Sequence, residues 1–415
     1  MIRRWALVVV LATAACTSGG PGATMTISAP RPLDQPADVR LSGLPAGATT
    51  TVTASATDDH GVRWSAHADF RADAGGVVSL AQRPVGGDYD RADPMGLVES
   101  LAPGRVGEPV FATTQFGGPV MLAATVDGRT VATGTLRRLG PDQTGVTSTD
   151  LRPATDTIFG TLYEPKDTSA RHAAVVVFGG SEGGLARYIQ LEAAELAEHG
   201  HPALALAYFA EPGLPPTLDR IPLEYFTRAL SILRARPGVD PTRLYVMGGS
   251  RGGEAALLLA ATYPSQIHGV VGQVPASTVN AAFVIRAGSN HSAWTVHGRE
   301  VPFTRAFQAP AAAVDPAAVI PVERIRGPML LTCGGQDTEW PSCANVDDIT
   351  GRLAAHHVRP PVTVLKYSSA GHFATTLPPY TVYSQAALTA TGGEVAATQQ
   401  SNVDFWAHLL PFLGP

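Results

Sequence analysis

The sequence predicts two domains: a doubly wound α/β sheet and, before it, an all-β immunoglobulin-like sandwich. The chain has 415 residues, which is more than one ordinary domain needs and suits two. Residues 25–140 consist of short alternating runs broken by turn residues, whereas residues 150–415 alternate apolar strands with longer helical segments. The first pattern is typical of a sandwich, and the second of a sheet with helices on both faces.

The alternation in the first domain is clearest in Thr50–Ala54 and Val120–Val126. Gly, Pro and Asp interrupt such runs at Leu44–Gly47, Asp73–Gly76 and Asp127–Gly128. Short strands with frequent turn signals indicate a sandwich. No grouping of acid, base and nucleophile occurs in this half of the sequence, so we expect any chemistry to lie in the second domain.

The second domain opens with Ala173–Phe178, a continuous apolar run of the kind that is buried in a parallel sheet. Further strands are predicted at Ala203–Ala207, Arg243–Met247, Gly269–Val274, Met329–Thr332 and Val362–Tyr367. Helices are predicted at Arg187–His199, Pro222–Ala235, Glu254–Thr262 and Val403–Leu413. In a sheet of this type, functional groups lie at the carboxyl ends of the strands.

Residues 1–24 have the pattern of an export leader. Arg3 and Arg4 precede the apolar run Trp5–Ala12, which is too short to span a bilayer. Thr13–Cys16 resembles the bacterial lipobox, in which the cysteine is lipidated, although the pattern prefers an aliphatic residue where Thr stands. We therefore expect an exported lipoprotein that is held to the membrane only by a lipid on Cys16. An ordinary cleaved signal is the alternative.

Composition limits the function classes. The formal net charge is −5 and there is no basic block, so the sequence lacks the electrostatic footprint of a nucleic-acid-binding protein. After Cys16, two cysteines remain, Cys333 and Cys343. In an exported protein such a pair suggests a disulfide, and two buried free thiols are the alternative. No metal or other cofactor is predicted.

Residues 248–252 (GGSRG) form the strongest local motif. The motif has the form G-x-S-x-G and lies between the strand-like LYVM and the helix-like EAALLLA, which is the context of the nucleophile elbow of an α/β-hydrolase. Gly248 and Gly252 leave room for the strained backbone of the serine. The motif predicts that Ser250 is a nucleophile, and a Gly-rich turn without a catalytic role is the alternative.

A serine hydroxyl needs a base, and in this fold the chain order is Ser, acid, His. His372 follows the strand VTVLKY and is the best placed of the 12 histidines. Asp337 follows the strand MLLT and is the predicted acid that orients the imidazole. Glu339 is the better substitute, because Asp347 and Asp348 fall in the next helical segment.

An oxyanion hole needs two backbone N–H donors. One is expected from Arg251, the residue after the nucleophile. The other is expected from the loop GGSEGG at residues 179–184, where Ser181 is the favoured donor and Glu182 the alternative. A phosphate-binding loop is a further alternative, but the segment lacks the lysine and the spacing of a P-loop.

Several other motifs are spread over nearly the whole mature chain. They are LSGLP at 41–45, DHGVRWS at 59–65, DPMGL at 93–97, GGL at 183–185, ALAYF at 205–209, PLEYF at 222–226, PVER at 321–324, and the stretch from Gly371-His372 to Pro378-Pro379-Tyr380. Together they resemble the acyl-CoA thioesterase and bile acid-CoA:amino acid N-acyltransferase family. The resemblance implies a β-sandwich before an α/β-hydrolase domain, and a triad of Ser250, Asp337 and His372.

The chain departs from that family in three ways. The family's acyltransferases use Cys as the nucleophile, so Ser250 favours hydrolysis over conjugation. Arg251 stands where the family usually has Lys, which leaves side-chain contacts to a substrate phosphate open. The leader implies export, whereas acyl-CoA is an intracellular metabolite. We therefore predict an exported serine hydrolase of acyl thioesters or acyl esters. An acyltransferase that uses an amine or alcohol acceptor and a non-catalytic cell-surface binding protein are the alternatives.

The segment from Ala276 to Val319 lies between predicted strands and is expected to cover the site. It contains Trp294, Phe303 and Phe307. These aromatic residues either shape an acyl pocket or simply pack.

Overall fold

The computed structural model describes residues 22–105, 107, 111, 118–141, 143–283, 289–305 and 314–414. The predicted leader with Cys16 and the aromatic residue Phe307 lie outside these ranges. Among the described residues, no helix has both the length and the apolar character needed to cross a membrane.

The described residues before 140 form mainly antiparallel sheets. The strands are β1 (Thr24–Ile27), β2 (Arg31–Pro32), β3 (Val39–Ser42), β4 (Thr49–Thr57), β5 (Arg63–Arg71), β6 (Val78–Ser79), β7 (Gly86–Gly87), β8 (Ala102–Pro103), β9 (Val120–Val126), β10 (Arg129–Leu136) and β11 (Arg138–Leu139), with the short helix α1 (Gly96–Glu99). One sheet has the order β1-β3-β6, and a second has the order β10-β9-β4-β5-β7 with β8 also paired to β5. β2 pairs with β11.

The burial of β5 explains why this part of the chain forms sheets with one buried face. In RWSAHADFR every second residue, from Trp64 to Phe70, is buried, and the residues between them are exposed or half-buried. Side chains of a strand alternate between its two faces. Trp64 and Phe70 therefore enter the same apolar core as Leu41 of β3 and Val52 of β4.

The rest of the chain alternates strands and helices around one large sheet. The strands are β12 (Val146–Leu151), β13 (Phe159–Pro165), β14 (His172–Phe178), β15 (Ala203–Ala207), β16 (Ile221–Pro222), β17 (Val239–Gly249), β18 (Gly269–Gln273), β19 (Trp294–Val296), β20 (Arg299–Glu300), β21 (Met329–Gly334) and β22 (Val362–Tyr367). The helices are α2 (Pro153–Asp156), α3 (Arg187–Glu198), α4 (Leu223–Arg234), α5 (Arg251–Thr262), α6 (Ser342–Ala355), α7 (Gln385–Thr389) and α8 (Val395–Leu413).

The large sheet has eight strands in the order β12-β13-β15-β14-β17-β18-β21-β22. β12 and β13 are antiparallel to their neighbours, and all pairs from β15 to β22 are parallel. Alternate residues of β14 enter two different cores, with Val176 and Phe178 in one and Val175 and Val177 in the other. The sheet is therefore covered on both faces, and the predicted doubly wound α/β sheet is confirmed.

The parallel strands bring four loops to one edge of the sheet. β14 ends at Phe178, β17 at Gly249, β21 at Gly334 and β22 at Tyr367. Because carboxyl ends of parallel strands lie at the same edge, the loops that follow these strands meet there. These loops carry every residue that the sequence predicts to be catalytic.

The two parts of the chain touch beside the histidine loop. Arg91 donates a hydrogen bond to the side-chain oxygen of Gln399 in α8 (2.9 Å), and the Gln399 amide donates to the carbonyl of Glu99 (3.1 Å). Arg138 donates to the carbonyl of Tyr380 (3.0 Å), which follows His372 by eight residues. The first domain thus supports the segment that continues from the predicted catalytic histidine.

Candidate active site

Ser250 lies in the turn between β17 and α5, with backbone angles φ 56° and ψ −122°. A positive φ is uncommon for a residue with a side chain and costs free energy. The Ser250 amide donates to the carbonyl of Gln273 (2.9 Å), and the Ser250 carbonyl accepts from the amide of Glu254 (3.1 Å). These two bonds hold a strained serine at the N-terminus of α5, where the helix dipole favours negative charge.

Gly248 and Gly252, on either side of Ser250, lie where a side chain would clash with the backbone. A Cβ added at Gly248 would lie 2.4 Å from the carbonyl oxygen of Gly252, and one added at Gly252 would lie 2.4 Å from the carbonyl oxygen of Gly179. Both distances are far inside van der Waals contact. The glycines of the G-x-S-x-G motif therefore allow residues 248 and 252 to pack closely against each other, and residue 252 to pack against the backbone of the loop after β14.

Asp337 and His372 are joined by a hydrogen bond. His372 Nδ1 lies 2.9 Å from Asp337 Oδ2, and the two side chains are 12% and 1% exposed. Asp337 Oδ1 accepts from the amides of Glu339 (3.0 Å) and Trp340 (3.3 Å). The carboxylate is thus fixed by its own loop and directed at the imidazole, which leaves His372 Nε2 as the nitrogen that can take a proton.

The three acids considered as alternatives to Asp337 make other contacts. Glu339 contributes its backbone amide to the Asp337 carboxylate. Asp347 lies in α6 and pairs with Lys366 (2.5 Å), and Asp348 accepts from the hydroxyl of Ser277 (3.2 Å).

Gln273, at the end of β18, joins the serine turn to the histidine loop. Its carbonyl holds the Ser250 amide, and its side-chain amide donates to the carbonyl of Thr375 and to Glu192 Oε1 (3.1 Å). Thr375 follows His372 by three residues. Sequence reasoning missed Gln273, because a single Gln at a strand end belongs to no motif.

The loop after β14 lies against the nucleophile. A Cβ added at Gly180 would lie 3.0 Å from the Cβ of Ser250. The next residue is Ser181, the predicted oxyanion donor, and its amide donates no hydrogen bond to a residue that the structure describes. The amide of Arg251 is the first of α5, and the first N–H groups of a helix have no partner within it.

The Arg251 side chain is not available to a substrate phosphate. It is 1% exposed, its guanidinium donates to the carbonyls of Ala281 (3.1 Å) and Asn280 (3.2 Å), and its Nε lies 3.1 Å from Glu254 Oε2. The Glu254 carboxylate in turn accepts from Trp294 Nε1 (2.7 Å) and from Asn280. These hydrogen bonds to Asn280, Ala281 and Trp294 tie the start of α5 to the covering segment.

The covering segment is partly described, and its aromatic residues pack. Trp294 is fully buried and lies near Tyr208 and Phe226, with ring centroids 5.7 and 6.1 Å away. Phe303 is half-buried against the same core. Of the two interpretations left open by the sequence, packing applies to Trp294 and Phe303.

Cys333 and Cys343 form a disulfide across the acid loop. Cys333 lies in β21 and Cys343 in the first turn of α6. Asp337 lies between them, so the bond closes the loop that carries the candidate acid.

A groove with a volume of about 880 Å³ opens beside Asp337. Its lining comes from the covering segment, the acid loop and α6, and includes Ser277, Asn280, Glu339, Trp340, Asp348 and Arg352. Arg352 is paired with Glu323 (2.6 Å). Asp337 is the one residue of the predicted triad among those that line this groove.

One group of described residues has the spacing of metal ligands, and it lies away from this site. Ligand atoms of Asp34, Glu195 and His199 lie within 4.8 Å of one another. His199 Nε2 lies 2.6 Å from Asp34 Oδ2. The buried guanidinium of Arg138 lies within electrostatic range of Glu195 and Asp34, so a cationic side chain already lies near these acids.

Two family models match the chain, one in each part. Residues 221–414 match the model described as "BAAT / Acyl-CoA thioester hydrolase C terminal", and residues 34–148 match "Acyl-CoA thioester hydrolase/BAAT N-terminal region". Both halves of the chain therefore match the same family.

Curated relatives agree with the family models over most of the chain. Mouse "Acyl-coenzyme A thioesterase 2, mitochondrial" is 29% identical over 414 residues, covering 91% of this chain and 86% of the relative. Human "Acyl-coenzyme A thioesterase 1" is 29% identical over 406 residues, covering 91% and 93%. Among solved structures, a putative dienelactone hydrolase from Klebsiella pneumoniae has a TM-score of 0.45 and 18% identity, covering 65% of this chain and 98% of that one.

The strand order, the strained serine after β17 and the Asp–His pair after β21 and β22 define an enzyme of the α/β-hydrolase class. Within that class, the chain belongs to the acyl-CoA thioester hydrolase/BAAT family. The resemblance inferred from the sequence motifs is thereby confirmed.

Proposed function

We propose that the protein is a serine hydrolase that cleaves acyl thioesters or acyl esters through a Ser250–His372–Asp337 triad. The observation that carries the proposal is the strained Ser250 turn, placed at the same sheet edge as the hydrogen-bonded Asp337–His372 pair. A serine on such a turn, a histidine and an acid that orients the histidine are the parts that acyl transfer requires.

In the first half of the reaction, Ser250 Oγ attacks the acyl carbonyl carbon and its proton passes to His372 Nε2. Asp337 holds the imidazole in the tautomer that can accept this proton and stabilises the imidazolium. The amides of Arg251 and Ser181 donate to the oxyanion of the tetrahedral intermediate. The intermediate collapses to an acyl-serine ester, and the leaving thiol or alcohol takes its proton from His372.

In the second half, water attacks the acyl-serine ester and gives a proton to His372, which returns it to Ser250 as the acid leaves. A serine ester is less readily attacked by amines than a cysteine thioester is, so the residue at position 250 favours water as the acceptor. An acyltransferase reaction is therefore the secondary possibility for a member of this family.

Acyl-CoA is the first substrate class to consider, because the curated relatives are named acyl-coenzyme A thioesterases. The Arg251 guanidinium, which is bonded to Asn280 and Ala281, would not contribute to binding a CoA phosphate. Uncharged acyl esters are the second class. A panel of acyl-CoAs and p-nitrophenyl esters of increasing chain length distinguishes the two.

The experiment that tests the proposal is labelling with a fluorophosphonate probe. We expect the intact protein to react with the probe and Ser250→Ala to lose the label, with a loss of about 10⁶ in kcat for hydrolysis. Ser231→Ala is the matched control, because Ser231 is an exposed serine on α4 whose hydroxyl donates to the carbonyl of Thr227 in the same helix. Failure of the wild-type protein to label would favour a non-catalytic binding protein, and faster turnover with added amines or alcohols would favour an acyltransferase.

We further propose that residues 25–140 form an immunoglobulin-like sandwich and residues 150–415 the catalytic domain. The antiparallel pairing of β4 with β5 and β9, and the apolar core that includes Trp64, support this division. Limited proteolysis tests it: because β12 begins at Val146 and pairs with β13, we expect the first stable cut near residues 140–145, and a cut inside β4, β9 or the strands of the large sheet would contradict the division.

We also propose that the protein is exported and anchored by a lipid on Cys16. The basic and apolar residues before Cys16 support export, and so does the Cys333–Cys343 disulfide, because such bonds persist in oxidising compartments. We expect the wild-type protein to partition with membranes and Cys16→Ser to become soluble. Membrane partition that survives this substitution would contradict lipidation.

A further inference from the structure

A carboxylate that the proposed mechanism does not use lies beside the nucleophile. Both oxygens of Glu182 lie 3.0 Å from the amide nitrogen of Gly180, two residues earlier in the loop. Gly180 is the residue whose added Cβ would lie 3.0 Å from the Cβ of Ser250. Glu182 therefore holds the backbone segment that faces the serine.

The glycines before Glu182 make room for its carboxylate. A Cβ added at Gly179 would lie 2.0 Å from Glu182 Oε1, and one added at Gly180 would lie 3.2 Å from Oε2. The carboxylate thus lies flat against the backbone of the loop, where a larger residue would displace it.

Two tyrosines hold the same loop from its other sides. The Tyr188 hydroxyl, on α3, donates to Glu182 Oε1 (2.5 Å). The Tyr208 hydroxyl lies 2.9 Å from the carbonyl oxygen of Gly179 and 3.0 Å from that of Gly180. Burial raises the pKa of both tyrosines well above the usual value, so both keep the proton that they donate.

These contacts decide which amide can serve the oxyanion. The Gly180 N–H is committed to Glu182, so it is not free to donate to a substrate. The next amide along the chain, that of Ser181, donates to no described residue. We infer that Glu182 is a positioning residue that holds the Gly180 amide and thereby aims the Ser181 amide at the oxyanion. The inference rests on the proposed function, because an oxyanion forms only if the protein performs acyl transfer.

The contacts of the Glu182 carboxylate predict how substitutions of Glu182 change kcat and KM. Glu182 is exposed, and its carboxylate accepts hydrogen bonds from the Gly180 amide and the Tyr188 hydroxyl. In Glu182→Ala the Gly180 amide is released and the loop loses its fixed direction. Since loss of a whole oxyanion donor lowers kcat by about 10²–10³-fold, misdirection of one donor should lower it by roughly 10- to 100-fold. KM should change by less than about threefold, because ground-state binding is not removed.

The experiment compares Glu182→Ala, Glu182→Gln and Glu211→Ala with the wild-type protein. Gln keeps an acceptor oxygen and should restore kcat to within about fivefold of wild type. Glu211 is the matched control, because it holds the far end of the same loop by accepting from the amide of Leu185 (2.9 Å). We expect Glu211→Ala to keep kcat within about threefold. The readouts are kcat and KM on the best ester or thioester and the rate of fluorophosphonate labelling.

Three results would overturn the inference. They are a kcat of Glu182→Ala within twofold of wild type, equal losses of kcat in Glu182→Ala and Glu211→Ala, or a kcat of Glu182→Gln no higher than that of Glu182→Ala. If Glu182→Ala does not fold, as judged by circular dichroism, Tyr188→Phe replaces it. That variant removes the hydroxyl that holds the carboxylate and should lower kcat with unchanged KM. A wild-type protein that neither labels nor hydrolyses would instead refute the proposed function, and the inference with it.

Discussion

Replacement of Arg251 by Met tests the buried ion pair behind the nucleophile. Met fills much of the same space but has no charge and no donor. The substitution removes the guanidinium from Glu254 Oε2 (3.1 Å) and from the carbonyls of Ala281 and Asn280. The Arg251 and Glu254 side chains are 1% and 0% exposed, so water cannot replace the lost partner without a local opening.

The expected cost follows from the charge that is left behind. Removing one partner of a buried ion pair destabilises a protein by about 3–5 kcal/mol, because the other charge stays buried without compensation. Three N–H groups still donate to the Glu254 carboxylate, two from Asn280 and one from Trp294, which favours the lower part of that range. Two carbonyls also lose a donor, at about 1 kcal/mol each. We expect a total loss of about 3–5 kcal/mol.

Urea unfolding followed by circular dichroism measures this loss. Arg220→Met is the control: Arg220 pairs with Asp219 on the surface, where its side chain is 52% exposed, so its removal should cost less than about 0.5 kcal/mol. Adding Glu254→Gln to Arg251→Met should recover part of the stability, because the uncompensated charge is then gone. A loss below about 1 kcal/mol for Arg251→Met would refute the assignment of a strong buried pair.

Three further predictions concern stability and pH. Burial raises the pKa of the Glu192 carboxyl well above 4.5, so the folded chain keeps a proton that the unfolded chain has lost. As the pH rises above 4.5, the free energy of unfolding of the wild type therefore falls by about 1.4 kcal/mol per pH unit. The stability of Glu192→Gln relative to wild type, measured by urea unfolding, should increase from pH 5 to pH 7, and a constant difference would contradict this. Gly252→Ala places a Cβ 2.4 Å from the Gly179 carbonyl oxygen. We expect the variant to lose about 1–3 kcal/mol in the free energy of unfolding and to lose labelling by the fluorophosphonate probe. A thermal midpoint equal to that of wild type would show that the turn can relax. Cys343→Ser removes a disulfide between residues ten apart and should lower the free energy of unfolding by about 2–3 kcal/mol in urea titrations. Reduced wild type should match the variant, and unequal values would mean that the substituted side chain, not the bond, accounts for the loss.

The sequence was sufficient for features that depend on local spacing. The β9 and β22 ranges agree with the predicted strands. Buried and less buried residues alternate over the first five positions of β9, and β22 is rich in β-branched and aromatic residues. The C-terminal helix begins at Val395, eight residues before the predicted Val403, since VAATQQSN contains small and polar residues that give no helical period. The glycines around Ser250 were predictable because a strained turn needs them at fixed offsets.

The sequence alone therefore determined the candidate nucleophile, base and acid, since each stands directly after a recognisable strand and parallel strands share one edge. Only the tertiary structure decided the partners of Arg251, Glu182 and Gln273. Their bonds join loops and helices that are distant along the chain or depend on the direction of a single carboxylate. Local propensity carries no information about such contacts, because they form only when the sheet has brought its loops together.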